Sequence, residues 1–320
     1  MHRKKIVILG TGGTIAGRSA DASDHIAYVA AELGVAKLAE GIAGLASAHE
    51  LLVEQIAQVD SKDMSFAIWA LLAERVNYFS ARDDVAAIVI THGTDTLEET
   101  AYFLQALLSP CKPVVLTCAM RPASALTPDG PQNLRDAVTV AGIPGARGVV
   151  AVCAGVVHCA ADVQKRHTYR LDAFSSGDAG AIAYVEGNKV RLVRNWPAAQ
   201  EIRARSAIEN IAILKSAISW PKVEVVMNYA GAGGAVVHAL IAAGVQGLVL
   251  AGTGNGTAHN ELEDALRAAQ AGGIRVVRAT RCTDGRVLAL PGDVFEDARG
   301  LSPVKARIAL TLALMLPEFG

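Results

Sequence analysis

Two short stretches of this 320-residue chain place a threonine directly after a run of apolar residues and glycines. The first reads GTGGT at residues 10–14 and follows the apolar residues 6–9. The second reads THGTD at residues 91–95 and follows the apolar residues 85–90. A buried strand that ends in glycine puts the next hydroxyl on a loop whose bare backbone lets a small molecule come close. Two such hydroxyls, one of them beside a carboxylate, are suitable parts for nucleophilic catalysis.

Both stretches also allow other interpretations. Glycines after a first strand are typical of dinucleotide and phosphate loops, but a G-x-G-x-x-G motif that starts at Gly10 needs a third glycine where the chain has Ile15. Residues 94–96 also suit the N-cap of a helix, with Glu98 and Glu99 favoured in its first turn by the helix dipole. A cap alone does not explain why a second threonine ends a strand in the same half of the chain.

Together the two stretches resemble the bacterial L-asparaginase family, whose signatures are a T-G-G-T-I-A-G loop, here residues 11–17, and an H-G-T-D-T loop, here residues 92–96. Further stretches follow in the family's order over essentially the whole chain: VDSKDM at 59–64, AMRP at 119–122, DGPQNL at 129–134, DVQK at 162–165, GTGNG at 252–256 and PVKAR at 303–307. The resemblance implies an L-asparagine amidohydrolase, in which a threonine attacks the side-chain amide, ammonia leaves, and water hydrolyses an acyl-enzyme to aspartate.

The resemblance also implies the catalytic residues. Thr14 matches the nucleophile, and Tyr28 matches a tyrosine of the mobile loop that contacts it, although the spacing between the two is slightly longer than in the family. Thr94, Asp95 and Lys165 match a second constellation, in which the lysine lowers the cost of removing the threonine proton. A desolvated lysine can act as a base, whereas residues 164–167 would otherwise be a solvated patch. Which threonine attacks first stays open.

In the family, two charged ends of the substrate are bound separately. The resemblance implies that Asp95 holds the α-ammonium group and that Ser61 holds the α-carboxylate, which fixes the direction of the side-chain amide. It also implies that the loop with Asn255 reaches the site of a neighbouring subunit. We therefore expect a homo-oligomer, a tetramer of tight dimers, with L-asparagine as the small-molecule substrate.

Several residues depart from the family pattern. Lys62 stands where glutamine is often found, and it either adds charge near the substrate carboxylate or points to solvent. Thr257 stands where many members have asparagine or serine. The segment 281–301 is shorter than the corresponding segment of the family. Glu296 is the one candidate for the glutamate that often supports the loop tyrosine. These departures concern substrate affinity and selectivity rather than the reaction.

Three alternatives remain beside an L-asparaginase. The nearest is a glutaminase-asparaginase of mixed specificity, which differs in kcat/KM for the two amides. An amidase subunit of a tRNA-dependent amidotransferase carries an added N-terminal domain, which a chain starting at its first strand argues against. A non-catalytic amino-acid or nucleotide-binding protein is disfavoured by the complete set of Thr14, Thr94, Asp95 and Lys165. We expect no cofactor, and no metal because the histidines lack ligand spacing.

Composition indicates a soluble cytoplasmic enzyme. The chain is 52% hydrophobic and 19% charged, with a formal net charge of −1. This near-neutral charge does not indicate binding to nucleic acid or to an anionic membrane, which requires an excess of basic residues. The basic start is followed by an apolar run too short for a signal peptide or a membrane span. Five cysteines without C-x-x-C spacing indicate reduced thiols rather than a disulfide framework.

Alternating strand and helix patterns predict an α/β fold with a larger N-terminal parallel-sheet α/β domain and a smaller C-terminal α/β domain. We place the N-terminal domain at 1–197, a linker at 198–220 and the C-terminal domain at 221–320. Predicted strands are 5–9, 52–58, 85–90, 113–117, 148–152, a hairpin turning at 187–188, and then 223–228, 246–251 and 274–279. Predicted helices are 33–45, 64–79, 97–108, 131–141, 233–243, 258–271 and one from Pro303, with Ser302 as its cap.

Overall fold

The structure of the chain is a computed structural model that describes residues 4–18, 29–42, 50–197, 207–316 and 319. It divides into two compact units, Met1–Ile211 and Ala212–Gly320. Each is an α/β unit, so the predicted pairing of a larger N-terminal with a smaller C-terminal α/β unit is confirmed. Residues 198–206, the first part of the predicted linker, lie outside the described residues.

The first unit is built on a large mixed sheet. Its strands and those of a small separate ribbon are β1 (Lys5–Gly12), β2 (Glu50–Val59), β3 (Val85–Thr91), β4 (Pro113–Thr117), β5 (Gly148–Cys153), β6 (Val156–Cys159), β7 (Gln164–Lys165), β8 (Phe174–Ser175), β9 (Ala183–Glu186) and β10 (Lys189–Leu192). The described strands of the large sheet run in the order β10-β9-β6-β5-β4-β3-β1-β2, and β7 pairs with β8.

The predicted parallel sheet holds for only part of this order. The five strands β2, β1, β3, β4 and β5 are parallel, whereas β6, β9 and β10 join antiparallel. Strand β6 was not predicted, because the turn before it contains Ala154 at φ 49°, which is uncommon for a residue with a Cβ. The hairpin predicted at residues 187–188 is confirmed and joins β9 to β10.

The second unit contains a parallel sheet. Its strands are β11 (Val223–Met227), β12 (Gly247–Gly252), β13 (Arg275–Thr280) and β14 (Glu296–Asp297), paired in that order. The described helices of the chain are α1 (Val35–Glu40), α2 (Phe66–Ser80), α3 (Leu97–Leu108), α4 (Gly130–Ala141), α5 (Ala207–Ser216), α6 (Ala235–Ala242), α7 (Asn260–Ala271) and α8 (Pro303–Met315). Within the described part of the chain, no helix is long and apolar enough to cross a membrane.

Two predicted helix caps are not formed. Ser302 precedes Pro303 with an extended backbone, but its side chain makes no capping hydrogen bond. Thr96 occupies the N-cap position of α3, and its side chain does not cap the helix either. The Thr96 hydroxyl instead donates to the carbonyl of Ser61 at 2.8 Å. This hydroxyl therefore joins two loops of the sheet edge rather than closing the end of a helix.

The core of the first unit explains why its strands are continuous apolar runs. Central residues of β1, β3, β4 and β5, such as Ile8, Val89, Val115 and Val150, have no exposed surface. A parallel strand covered on both faces has no polar side to expose, so its hydrophobic run is unbroken. Because β1 and β3 are direct neighbours, their carboxyl ends meet at one edge of the sheet. The two threonine loops begin at that edge.

Candidate active site

The two threonine loops touch through glycine backbones. Gly13 has φ 81°, and a Cβ on it would overlap the Cα and the N of Gly93. A Cβ on Gly93 would in turn overlap Ser61 Oγ. Only glycine fits such contacts, because any other residue places a carbon where the neighbouring chain already lies. The loop after β1, the loop after β3 and the turn at Ser61 are therefore packed into one cluster.

The first predicted nucleophile lies immediately beyond this contact. Thr14 begins a short 3-10 turn, Thr14–Ala16, and is only 5% exposed. Backbone hydrogen bonds hold the turn at its base, from Gly13 N to Val59 O at 2.9 Å and from Gly17 N to Thr14 O at 2.8 Å. The preceding strand is tied to β3 by the Thr11 hydroxyl, which donates to Thr91 O at 3.0 Å. The backbone of Thr14 is therefore held in a fixed place.

The second predicted constellation is assembled in full. The ammonium group of Lys165 donates to Thr94 Oγ1 at 2.7 Å and to Asp95 Oδ1 at 2.6 Å. The lysine side chain is 18% exposed and that of Asp95 is 54% exposed. The hydroxyl of Thr94, a residue 6% exposed, lies 3.4 Å from Asp95 Oδ1. Residues that are 70 positions apart in sequence thus meet at hydrogen-bonding distance.

The lysine does not form the solvated patch that its neighbours in sequence suggest. Lys165 lies on β7, which pairs with β8 through Phe174. Phe174 is 7% exposed, whereas Arg166 and His167 are exposed. The pairing therefore turns one residue of a charged run toward Thr94 and leaves the next two at the surface. In this position the ammonium group stabilises negative charge on Thr94 Oγ1.

Ser61 lies against the same loop. It opens a 3-10 turn, Ser61–Asp63, and is 2% exposed. Its Oγ accepts a hydrogen bond from Asp95 N at 3.1 Å, and its carbonyl accepts the hydroxyl of Thr96. The Ser61 hydroxyl proton has no acceptor among the described residues, and neither does Asp95 Oδ2 have a donor there. Two residues joined by one hydrogen bond therefore each keep a polar group that no described residue contacts.

Lys62 lies beside this pair and is turned toward a different carboxylate. Its ammonium group is 2.9 Å from Asp60 Oδ2, and its side chain is 65% exposed. The hydrogen bond that Lys62 donates to Asp60, followed by the negative charges of Asp60 and Asp63, raises the pKa of Lys62. Of the two orientations that the sequence left open, the structure has the exposed one.

His92 supports the loop of Thr94 from inside the protein. It has no exposed surface, and its Nδ1 lies 2.8 Å from Gly93 O. Burial lowers the pKa of His92 to about 4, so the ring is neutral near pH 7. Asp129 is also structural, because its carboxylate accepts from the backbone of Met120 and Arg121 at 3.0 and 2.9 Å.

The remaining predicted residues are less informative. Tyr28 lies outside the described residues. Asn255, in the second unit, uses both ends of its amide on the backbone of Leu288, at 3.0 and 2.7 Å. Thr257 is turned into its own loop, where its hydroxyl lies 3.0 Å from Thr253 O. Glu296 pairs with Arg275 and Arg299, so its carboxylate is already occupied within the second unit.

Sequence analysis missed two residues that support the site. Thr100 and Trp69 lie behind His92, and no sequence pattern distinguishes them from other helix residues, because their hydrogen-bond partners are 8 and 31 positions away. Across the described residues, no group of three or more His, Cys, Asp or Glu side chains is arranged to hold a metal ion. The site is thus built from hydroxyls, one ammonium group, one carboxylate and backbone amides.

Comparison with known proteins gives two family matches that together span nearly the whole chain. The model described as "Asparaginase, N-terminal" matches residues 5–198, and the model described as "Glutaminase/Asparaginase C-terminal domain" matches residues 222–317. These two matches cover the residues of both threonine loops, Lys165 and Asn255.

Similar proteins include "L-asparaginase 2" of Bacillus subtilis, 36% identical over 97% of this chain and 82% of its own length. They also include "Glutaminase-asparaginase" of Pseudomonas fluorescens, 35% identical over 97% of this chain and 86% of its own length. Among solved structures, the "Probable Cytoplasmic L-asparaginase from Campylobacter jejuni" superposes with a TM-score of 0.91 at 35% identity, covering 99% of this chain and 96% of that one.

The glycine contact can be tested by stability. We expect Gly13→Ala to lower the free energy of unfolding by about 1–3 kcal/mol more than Gly145→Ala does, because overpacking adds to the backbone cost. Gly145 is a matched control, since it has the same φ of 81° but nothing within 4 Å of an added Cβ. Urea unfolding of both variants measures the difference. Equal losses would mean that the Gly13–Gly93 contact adapts to a methyl group.

Proposed function

The chain belongs to the asparaginase family, and we propose that it hydrolyses the side-chain amide of L-asparagine to L-aspartate and ammonia. The observation that carries the proposal is that Lys165 lies 2.6–2.7 Å from Thr94 and Asp95, whose loop packs against the Thr14 loop. A hydroxyl held by an ammonium group and a second hydroxyl nearby are what amide hydrolysis requires. Ammonia release from L-asparagine by the purified protein tests it.

In this proposal, Asp95 and Ser61 hold the amino-acid end of the substrate. Asp95 Oδ2 is open to the α-ammonium group, because the lysine contacts only Oδ1. The Ser61 hydroxyl is open to the α-carboxylate, because its Oγ accepts from Asp95 N and its proton has no acceptor among the described residues. Two charge-assisted hydrogen bonds of this kind fix the direction in which the side-chain amide extends.

The amide carbon is then attacked by a threonine hydroxyl. We propose Thr14 as the nucleophile, with Tyr28 as the aromatic residue of the following loop that contacts it. The hydroxyl oxygen bonds to the amide carbon, the leaving nitrogen takes up a proton and departs as ammonia, and water hydrolyses the resulting ester. A free hydroxyl is a weak nucleophile near neutral pH, so this step requires a neighbour that removes its proton.

Thr94 and Lys165 supply charge stabilisation and proton transfer in the same proposal. The ammonium group of Lys165 lowers the free-energy cost of removing the proton from the Thr94 hydroxyl. That hydroxyl then either directs the attacking water or completes the proton transfer. The backbone N–H of Thr94 has no hydrogen-bond partner among the described residues, which makes it a candidate donor to the substrate oxygen. The order in which Thr14 and Thr94 act is left open by this arrangement.

A mixed glutaminase-asparaginase is the second candidate function. Relatives with that name match nearly the full chain, including the one from Pseudomonas fluorescens. The Asp95 and Ser61 groups meet the charged end that both amino acids share, so they do not discriminate between the two amides. The ratio of kcat/KM for L-asparagine and L-glutamine separates the two functions. A non-catalytic binding protein would release no ammonia from either.

We further propose that the chain works as a homo-oligomer, a tetramer of tight dimers, in which Asn255 takes part in substrate binding. Support comes from α6, an apolar helix in which Val236 is 46% and Ile241 is 38% exposed. The neighbouring edge strand β11 ends in Met227, which is 54% exposed. A helix that is hydrophobic around most of its surface is normally buried, and a second copy would cover it.

The cytoplasm is the compartment that we propose. All five cysteines are free thiols, and Cys111 and Cys282 are exposed, which suits a reducing environment. The names of related proteins include both compartments, since one is called cytoplasmic and another, from Haemophilus influenzae, periplasmic.

Loss of either threonine hydroxyl is expected to abolish most activity. Thr14→Ala and Thr94→Ala should each lower kcat for L-asparagine by at least about 10²- to 10⁴-fold, the usual cost of a lost proton-transfer group or nucleophile. Steady-state ammonia release measures kcat, and circular dichroism confirms the fold. A variant that keeps more than about a tenth of the parental kcat would exclude that threonine from the mechanism.

Substitution of the lysine tests the charge at Thr94. We expect Lys165→Met, which keeps the approximate length of the side chain, to lower kcat by about 10²-fold or more with little change in melting temperature. An exposed lysine on the same loop system, Lys62, provides the matched control, since Lys62→Met removes an ammonium group that is paired with Asp60 instead. An unchanged kcat in Lys165→Met would show that Lys165 takes no part in catalysis.

The oligomer can be tested through α6. Light scattering of the active protein is expected to give about four times the chain mass of 33.3 kDa. A carboxylate buried in an interface without a partner is costly, so Val236→Glu is expected to shift the species toward lower mass. A monomeric parental protein with full activity would contradict the proposed assembly.

A further inference from the structure

A continuous set of hydrogen bonds leads from helix α2 to the loop of Thr94. The indole Nε1 of Trp69 lies 2.8 Å from Thr100 Oγ1, and Thr100 Oγ1 lies 2.9 Å from His92 Nε2. On the other side of the ring, His92 Nδ1 lies 2.8 Å from Gly93 O. We call Trp69, Thr100 and His92 the relay. All three residues are buried, and their exposed fractions are 5% or less.

The direction of every hydrogen bond in the relay follows from the groups at its ends. The indole N–H of Trp69 can only donate, and the carbonyl of Gly93 can only accept. His92 Nδ1 must therefore carry its proton, which leaves the neutral ring with an acceptor at Nε2. The hydroxyl of Thr100 accepts from the indole and donates to that Nε2. One tautomer of His92 satisfies every member, and no buried polar atom of the relay lacks a partner.

The relay is held rigidly at its distant end. The Trp69 ring stacks on Phe103 with centroids 4.9 Å apart and an interplanar angle of 13°, and Phe66 lies tilted against it at 5.8 Å. Phe103 follows Thr100 on the same face of α3, one turn away. Helices α2 and α3 thus fix both the indole donor and the hydroxyl that it meets.

The other end of the relay determines how one peptide group is oriented. The peptide bond between Gly93 and Thr94 is trans, so its C=O and N–H point in opposite directions. Because His92 holds the carbonyl inside the protein, the Thr94 N–H points away from the buried ring. Ser61 holds the later part of the loop separately, through Asp95 N and the Thr96 hydroxyl. Of these contacts, only the hydrogen bond from His92 in the relay holds the Gly93 carbonyl.

We propose that Trp69 and Thr100 are positioning residues for amide hydrolysis, which act through His92 to aim the Thr94 N–H and its hydroxyl at the reacting amide. This inference rests on the proposed function and adds residues that do not touch the substrate. It separates two tasks, since the relay sets the reacting groups while Asp95 and Ser61 hold the amino-acid end. Damage to the relay should therefore lower kcat and leave KM nearly unchanged.

The test compares Thr100→Val with Thr100→Ser. Loss of one oxyanion donor typically lowers kcat by about 10²–10³-fold. In Thr100→Val the donor is misaligned rather than lost, so we expect kcat to fall by about ten- to a hundredfold. The KM for L-asparagine should stay within about threefold of the parental value. Thr100→Ser keeps the hydroxyl and should restore kcat to within about threefold. Trp69→Phe, which keeps the stacking and removes only the N–H, should give an intermediate kcat.

A control for the loss of a buried helical hydroxyl is Thr311→Val. Thr311 lies in α8, is 2% exposed, and donates to Arg307 O at 2.8 Å. The Thr311→Val protein should be less stable than the parent but keep the parental kcat. A folded Thr100→Val protein with parental kcat would overturn the inference, as would a fall in kcat of the same size in Thr311→Val, or a failure of Thr100→Ser to restore activity.

A second measurement requires neither enzymatic activity nor a folded Thr100→Val protein. Nitrogen NMR of the parent with labelled histidine should show His92 at pH 7 with its proton on Nδ1, and the signal is identified by its shift in Thr100→Ser. A proton on Nε2 would overturn the relay. If the parent released no ammonia, the proposed function would fail, whereas the tautomer would still report on the relay itself.

Discussion

The contact between Gly13 and Gly93 is the constraint on which the site depends. Strands β1 and β3 end side by side, but two strand ends carry separate loops unless their backbones can touch. Two residues without a Cβ allow that approach, and Ser61 fills the space that remains beside Gly93. Thr14 and Thr94 each follow one of these glycines directly in sequence. The spacing of glycine and threonine in both loops is therefore a packing requirement before it is a chemical one.

In the proposed reaction, Asp95 has two roles that affect each other. One of its oxygens contacts Lys165, and the other is open to a ligand. A substrate ammonium group that binds to the open oxygen draws charge from the same carboxylate that the lysine contacts. Under the proposed function, binding of the amino-acid end would therefore change the charge beside the Thr94 hydroxyl through a single side chain. An amide without an α-ammonium group would lack this link between binding and chemistry.

The sequence predicted the parts of the molecule that short patterns encode. The five parallel strands are unbroken apolar runs, and Ser61, Thr94, Asp95 and Lys165, which the structure brings together, each lie in a motif of adjacent residues. The antiparallel strand β6 was missed because its turn begins at Ala154, with an unusual positive φ. Trp69 and Thr100 were missed because they lie on helices whose periodicity shows only burial, and their partners are 31 and 8 positions away. Thr96 and Ser302 match capping patterns, but tertiary contacts determine what their side chains do.

The described residues proposed for bond breaking, Thr14, Thr94, Asp95 and Lys165, all belong to the first unit. Asn255, with its amide on the backbone of Leu288, belongs to the second. Such a division lets the two halves of a gene diverge at different rates. In the proposed reaction, substitutions in the first half act on turnover, whereas substitutions in the second act on the choice of amide and on subunit contacts.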